Sequence, residues 1–417
     1  MFVNQIKSSL YQNAFVLILT NLTASVLGFV FWFIAARFYS AEDVGIATVI
    51  ISAMNLIALL SKVGLDFGLM RFISEFDTEG RIKVVNSSLT VVIIISALAS
   101  VIFLSAANII SEELKILKLP LFALLFIALV VIVASLQTTY GLFIGLRKAK
   151  FCLIQNVTWS FIKAVIVGFL SFLGVYGIIL SWSIGVLVAI AVVLVYLIPR
   201  LVKDFRPRFE FKLELIKKLI TFSVGNQVAA VFNQLPTLLL PMIVVNALGS
   251  KYSAYFYISW MIANFLFFVP HASGLSFVAE SAVDYRSVKK NLVRSMIFTY
   301  VLLSFGILFV FAFGYDVLKL FRGEYVYAYD LLKILAFSSL VVAPNVLYIN
   351  LERVRRRVKP IVLVNGIIAF TTVIGSALLV KECGLVVIGY MWILGNVLAL
   401  SFFVALQLPN LGIGKNI

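Results

Sequence analysis

The chain has 417 residues, 63% of them hydrophobic and 12% charged, with a mean hydropathy of +1.11 and a formal net charge of +16. A soluble fold cannot hide so much apolar surface. The basic residues recur on alternate loops rather than along one domain or stripe, which is a topology signal and argues against a nucleic-acid partner.

Long uncharged runs separated by short charged breaks predict twelve membrane-spanning helices. About 20 helical residues cross ~30 Å of hydrocarbon at ~1.5 Å each. In chain order the spans are 12–36, 44–65, 84–107, 121–145, 152–173, 176–198, 219–246, 253–277, 292–314, 331–350, 361–380 and 385–408. The first is too long for a signal peptide and lacks a small-residue cleavage site, so it counts as a mature helix. The fifth and sixth share one run of 36 uncharged residues, Ala164 to Pro199. That run is too long for one crossing, and Gly174-Val175-Tyr176-Gly177 marks its turn.

Placing the N-terminus inside gives the cytoplasmic segments 24 of the 34 basic residues, from Lys7 to Lys415, and the outer segments 8. This three-to-one bias predicts a multi-pass protein of the cytoplasmic membrane with both termini cytoplasmic. The halves resemble each other at an offset of about 209 residues, with Leu10 and Leu219 opening corresponding helices. Six spans per half give both halves one orientation. The expected fold is an all-α integral membrane protein of about twelve transmembrane helices, in two six-helix lobes around a central cavity. Residues 1–199 form one lobe, 200–218 a basic cytoplasmic linker and 219–417 the second lobe. No loop is large enough to carry a separate activity.

Two cysteines, Cys152 and Cys383, lie far apart and offer no disulfide framework. One histidine and no clustered acids leave no zinc or di-iron site, so no metal and no cofactor is expected.

Two stretches carry a family resemblance. Ala36-Arg37-Phe38-Tyr39-Ser40-Ala41-Glu42-Asp43-Val44-Gly45 closes helix 1 and opens helix 2, and Val63-Gly64-Leu65-Asp66-Phe67-Gly68-Leu69-Met70-Arg71 closes helix 2. They resemble the "a-R-x-l-x-x-x-[ED]-x-G" and "l-G-l-x-x-g-l-x-R" stretches of polysaccharide biosynthesis membrane proteins, the Wzx-type flippases of the MOP (MATE-like) superfamily. Val44 departs from the aromatic residue common before the glycine, and helix 8 has its proline at Pro270.

The resemblance implies a carrier, not an enzyme, that turns a lipid-linked (polyprenyl phosphate or diphosphate) oligosaccharide from the inner to the outer leaflet by alternating access. Its partners would be that substrate, membrane lipids and other polysaccharide-assembly proteins. Coupling to H+ or Na+ is one way to drive it. An anionic head group calls for cations inside the cavity.

Lys163 is the first candidate, because it falls about mid-span in helix 5, where a charge costs a few kcal/mol or more. It reads as a phosphate or glycan contact, or as a structural partner of an acid such as Asp66. Arg37 reads as an outer gate or as an interfacial anchor. Lys62, Asp66 and Arg71 lie at the inner end of helix 2. Lys62 and Asp66, four apart, suit an ion pair, or a cation gate with Arg71. Helix 7 carries Asn226, Gln227, Asn233 and Gln234, which read as a sugar-binding wall or as interhelical hydrogen bonds, and Pro236 and Pro241 are expected to bend or break it. His271 reads as a proton-coupling group or as a satisfied core histidine, with Asp66 the other coupling candidate.

Two other functions compete. A MATE-like multidrug or small-molecule efflux antiporter would need buried carboxylates, and the spans show only Asp66. A membrane polymerase or glycosyltransferase would need catalytic residues on a sizeable outer loop, and these loops are short.

Overall fold

The structure, a computed structural model, describes residues 9–110, 114, 115, 117, 119–283 and 287–407. The described residues form helices and no strand. They comprise α1 (Ser9–Phe38), α2 (Ala41–Ser61), α3 (Leu65–Phe72), α4 (Thr78–Ile110), α5 (Pro120–Gly145), α6 (Ala149–Phe169) and α7 (Val175–Val192). A π-helical turn (Val193–Leu197) leads from α7 into α8 (Ile198–Leu201). Then come α9 (Leu213–Leu248), α10 (Ser250–Val283), α11 (Val288–Phe321), α12 (Tyr329–Val354), α13 (Val358–Cys383) and α14 (Val386–Gln407). Twelve helices among the described residues are long and apolar enough to cross a membrane, as the charge pattern predicts. Lys7, Lys415 and the two termini lie outside the described residues.

Helix ends differ from the sequence reading by several residues. Charge counting marks only the part inside hydrocarbon, whereas backbone hydrogen bonding carries a helix on into water. Thus α9 begins at Leu213, and α12 runs to Val354. Helix 2 stops at Ser61, because Val63 and Gly64 take left-handed conformations (φ +42° and +85°) before α3 restarts. Pro236 and Pro241 leave α9 unbroken.

The chain divides into two compact units, Met1–Gln227 and Val228–Ile417, with the division inside α9. In the first unit α1 packs on α6, α6 on α7 and α4 on α5. Here α2 is the central helix, touching α4, α5 and α7 and mostly buried. Its Gly45, Ala47, Ala53 and Ala58 are buried, and small residues let neighbouring helices approach closely. In the second unit α12 is central, packed by α10, α11 and α14. The two buried helices are the second and the tenth spans. The halves therefore bury different members of their six-helix sets, a difference that their sequence similarity does not announce.

Candidate functional site

The first motif builds a staple at one end of the first unit. The Ser40 hydroxyl caps α2 by accepting the Asp43 N–H at 3.1 Å, and donates to Asp43 Oδ2 at 2.7 Å. The other oxygen of Asp43 accepts the Val175 N–H at 3.0 Å, capping α7 as well. Gly174, at φ +57°, lets the backbone turn beside that carboxylate. The Tyr39 hydroxyl donates to Val167 O at 2.6 Å, tying the same corner to α6. Burial and the neighbouring Asp43 carboxylate push the Tyr39 phenol up to about 12. Arg37 ends α1 here and is exposed.

The second motif is a packing device at the other end of α2, about 32 Å away by the length of a 21-residue helix. A Cβ at Gly64 would stand 2.7 Å from Ser223 Cβ, and one at Gly68 would stand 2.6 Å from Leu219. Both glycines let the first turns of α9 lie against α3. A Cβ at Gly141 would clash with the Asp66 carbonyl oxygen. Gln227 donates to Leu59 O at 2.6 Å.

Lys62 and Asp66 form an ion pair here at 2.7 Å, both side chains almost fully buried. Their i,i+4 spacing predicts this pair. Nearby, Glu75 accepts from Arg71 at 2.9 Å and Lys218 at 3.4 Å, and the Lys218 ammonium lies 4.6 Å from the Phe72 ring centre. Glu214, Lys217, Lys218, Thr221 and Phe222 line an open depression of about 520 Å³ beside them.

Lys163 stands apart from both ends. It is placed two-thirds along α6 rather than at mid-span, because the helix starts at Ala149 and ends at Phe169. The nearer end is six residues off, or about 9 Å. A lysine at that depth normally snorkels toward the nearer surface. Here the ammonium leans the other way. It lies 5.1 Å from the ring centre of Trp159, one turn deeper, and 5.0 Å from that of Phe31 on α1. Trp159 in turn meets Trp182 edge to face at 5.4 Å. Gly185 of α7 makes room: a Cβ there would come within 2.8 Å of Trp159 O and 3.2 Å of Lys163 Cβ. Among the described residues no carboxylate lies within ion-pair distance of Lys163, and Asp66 is taken by Lys62. The pairing of Lys163 with Asp66 is therefore not formed.

The amides of α9 divide. Gln227 is buried on α2, Asn226 is half-buried, and Asn233 and Gln234 are exposed. In the second unit His271 is exposed on α10, and Arg353 is its charged neighbour. Glu352, fully buried in the extended α12, bonds Arg355 at 2.8 Å. Glu352 lies two residues beyond the apolar run 331–350, in the part of α12 that continues past it. Both buried acids, Asp66 and Glu352, have a cationic partner. Among the described residues no three His, Cys, Asp or Glu side chains group to hold a metal ion.

Sequence reasoning finds Lys163 but misses its ring partners. Trp159 was legible as the i−4 neighbour, whereas Phe31 comes from a helix more than a hundred residues away. It also misses Asp43 as a double cap, since Val175 is 132 residues distant.

The helices and the placement of these charges define a multi-pass membrane protein whose first unit holds Lys163 on two aromatic faces, with no carboxylate in reach among the described residues. The chain belongs to the polysaccharide biosynthesis protein family, which it matches over residues 10–272. No curated protein sequence matches it significantly. Solved structures share its fold. The chain is similar to an inward-facing conformation of a multidrug resistance MATE family transporter of the MOP superfamily, with 15% identity, 97% of this chain and 100% of that chain covered and a TM-score of 0.75. Lipid II flippase MurJ in an inward closed conformation is also similar, with 10% identity, 94% and 87% covered and a TM-score of 0.73. An outward-facing conformation of a MATE family transporter gives 13% identity, 98% and 97% covered and a TM-score of 0.64. At these identities the likeness is one of fold.

Proposed function

We propose that the protein is a transporter that flips a lipid-linked oligosaccharide across the cytoplasmic membrane for cell-surface polysaccharide synthesis, by alternating access. One observation carries this reading beyond the family. Lys163 is a cation held at depth on two aromatic faces, with no acid among the described residues to neutralise it. Such a contact is worth about 0.5–2 kcal/mol, less than the cost of a buried ammonium, so an anionic ligand is the natural partner. A polyprenyl phosphate or diphosphate supplies one, and its glycan cannot cross ~30 Å of hydrocarbon without shelter. On this reading Arg37 meets the head group toward the outer end and Arg71 toward the inner, with the Lys62–Asp66 pair beside it. Both termini are assigned to the cytoplasm from the basic-residue bias.

The MATE-like fold keeps an efflux antiporter as the second reading. Exporting a cation needs a free buried carboxylate, and Asp66 and Glu352 are both bonded to cations.

The test is complementation. Deleting the gene from its host should remove the surface glycan, and the intact chain should restore it. Lys163→Gln should fail to restore it at normal protein level, and Lys163→Arg should restore much of it. Drug sensitivity on deletion, with surface glycan intact, would favour efflux instead.

A further inference from the structure

Between α8 and α9 the chain leaves the helix for residues 205–212, and this stretch lies against the start of α4 in a defined register. Asn86 donates to Arg206 O at 3.1 Å and accepts from Arg208 N at 3.3 Å, and Thr90 accepts from Glu210 N at 3.1 Å. Asn86 and Thr90 are one helical turn apart, ~6 Å along the axis, and residues 208 and 210 are ~6.6 Å apart in an extended chain. The two rises match, so the segment runs alongside α4, in the direction in which α4 enters the membrane. Val202 and Phe205 are buried at its front end, and Ile216 and Leu219 are buried beyond it in α9.

An extended chain sends alternate side chains to opposite faces. Phe209 and Phe211 share one face and are 81% and 59% exposed, and Leu213, the first residue of α9, is 64% exposed. Arg206, Arg208 and Lys212 are of the other parity, with Glu210, which faces Lys83. Asn86 and Thr90 lie ~3 and ~9 Å beyond Val84, the first residue of the uncharged run of α4. The apolar face therefore sits where water gives way to hydrocarbon, with guanidinium and ammonium groups at its back.

We propose that residues 205–213 form an interfacial strap that binds the anionic phospholipid of the bilayer surface. Phe209, Phe211 and Leu213 enter the acyl boundary, while Arg206, Arg208 and Lys212 take phosphate oxygens. Charge complementarity selects this occupant, since each basic residue near an anionic surface strengthens attachment about fivefold. The strap fastens the first turns of α9, and with them the face of α3 beneath, to the membrane surface.

The experiment uses the full chain with Phe209→Cys and Cys383→Ser. Cys152 is buried and stays in place. The new thiol carries a nitrobenzoxadiazole dye. The protein is placed in nanodiscs of acyl-brominated phosphatidylcholine, with or without added phosphatidylglycerol. The strap predicts quenching in both, several-fold stronger in the anionic discs. That excess should vanish in the Arg206→Gln/Arg208→Gln/Lys212→Gln variant. Should that variant fail to insert, added salt must remove the excess from the labelled protein itself. A dye unquenched in both lipids, or quenched equally in both, overturns the proposal.

Discussion

Two lysines lie inside the first unit and are held in opposite ways. Lys62 sits at the helix break below α2, 2.7 Å from a carboxylate one turn along. Lys163 sits in α6 on the faces of Phe31 and Trp159, with no carboxylate in reach among the described residues. A paired buried ion is a structural element: removing either partner leaves the other charged and desolvated. An ion on rings keeps its charge available, because the quadrupole attracts it without neutralising it. The difference separates a residue that holds the fold from one that, under the proposed function, meets a ligand.

The sharpest way to break this comparison is at the pair. Asp66→Ala should lose about 3–5 kcal/mol, because Lys62 is then left buried and alone. Lys62→Met/Asp66→Ala should recover most of it. Denaturation in detergent and the amount of protein in the membrane read both. If the double variant is no better than the single, the loss does not come from the charge left on Lys62.

How much of this was readable beforehand divides along a physical line. Interactions within one helix are legible. The apolar runs locate the spans, i,i+4 spacing finds Lys62 with Asp66, and Gly174 marks the turn between α6 and α7. Interactions between helices are not legible, because the sequence gives no distance between Phe31 and Lys163 or between Asp43 and Val175. The motif glycines were visible as a pattern. Their reason, Ser223 at 2.7 Å and Leu219 at 2.6 Å, exists only once α9 is laid on α3.

The second prediction concerns Lys163 itself. Lys163→Met should leave protein level and unfolding unchanged or slightly improved, because an unpaired buried charge is removed. Glycan export should fall by about a hundredfold or more, equivalent to roughly 2.7 kcal/mol. A loss of stability as large as that of Asp66→Ala would make Lys163 a structural ion after all, and the contrast between the lysines would collapse.

A smaller effect is expected from the ring beneath it. Trp159→Leu keeps the charge but removes one aromatic face, and the ammonium is then free to reach toward the nearer membrane surface. Export should drop by about five- to thirtyfold, corresponding to ~1–2 kcal/mol. Protein level should stay near normal, since leucine still fills part of the space. Unchanged export would mean that the inward lean of Lys163 is incidental.

The smallest effect belongs to the corner that positions α6. Tyr39→Phe removes the hydroxyl bond to Val167 O, which costs about 0.5–1.5 kcal/mol. The bond needs the phenol protonated. Burial and the Asp43 carboxylate raise its folded value from 10.0 to about 12. The contribution of Tyr39 is therefore complete below pH 10 and declines as the pH climbs toward 12. Unfolding curves of the intact chain and Tyr39→Phe should differ by a constant amount at neutral and mildly alkaline pH, and converge only above that window. A difference that stays constant through pH 12 would mean that the phenol titrates at its ordinary value, without the influence of burial and Asp43. The staple would then be weaker than the 2.6 Å bond implies. The height of Lys163 on α6 would be set by its own rings alone.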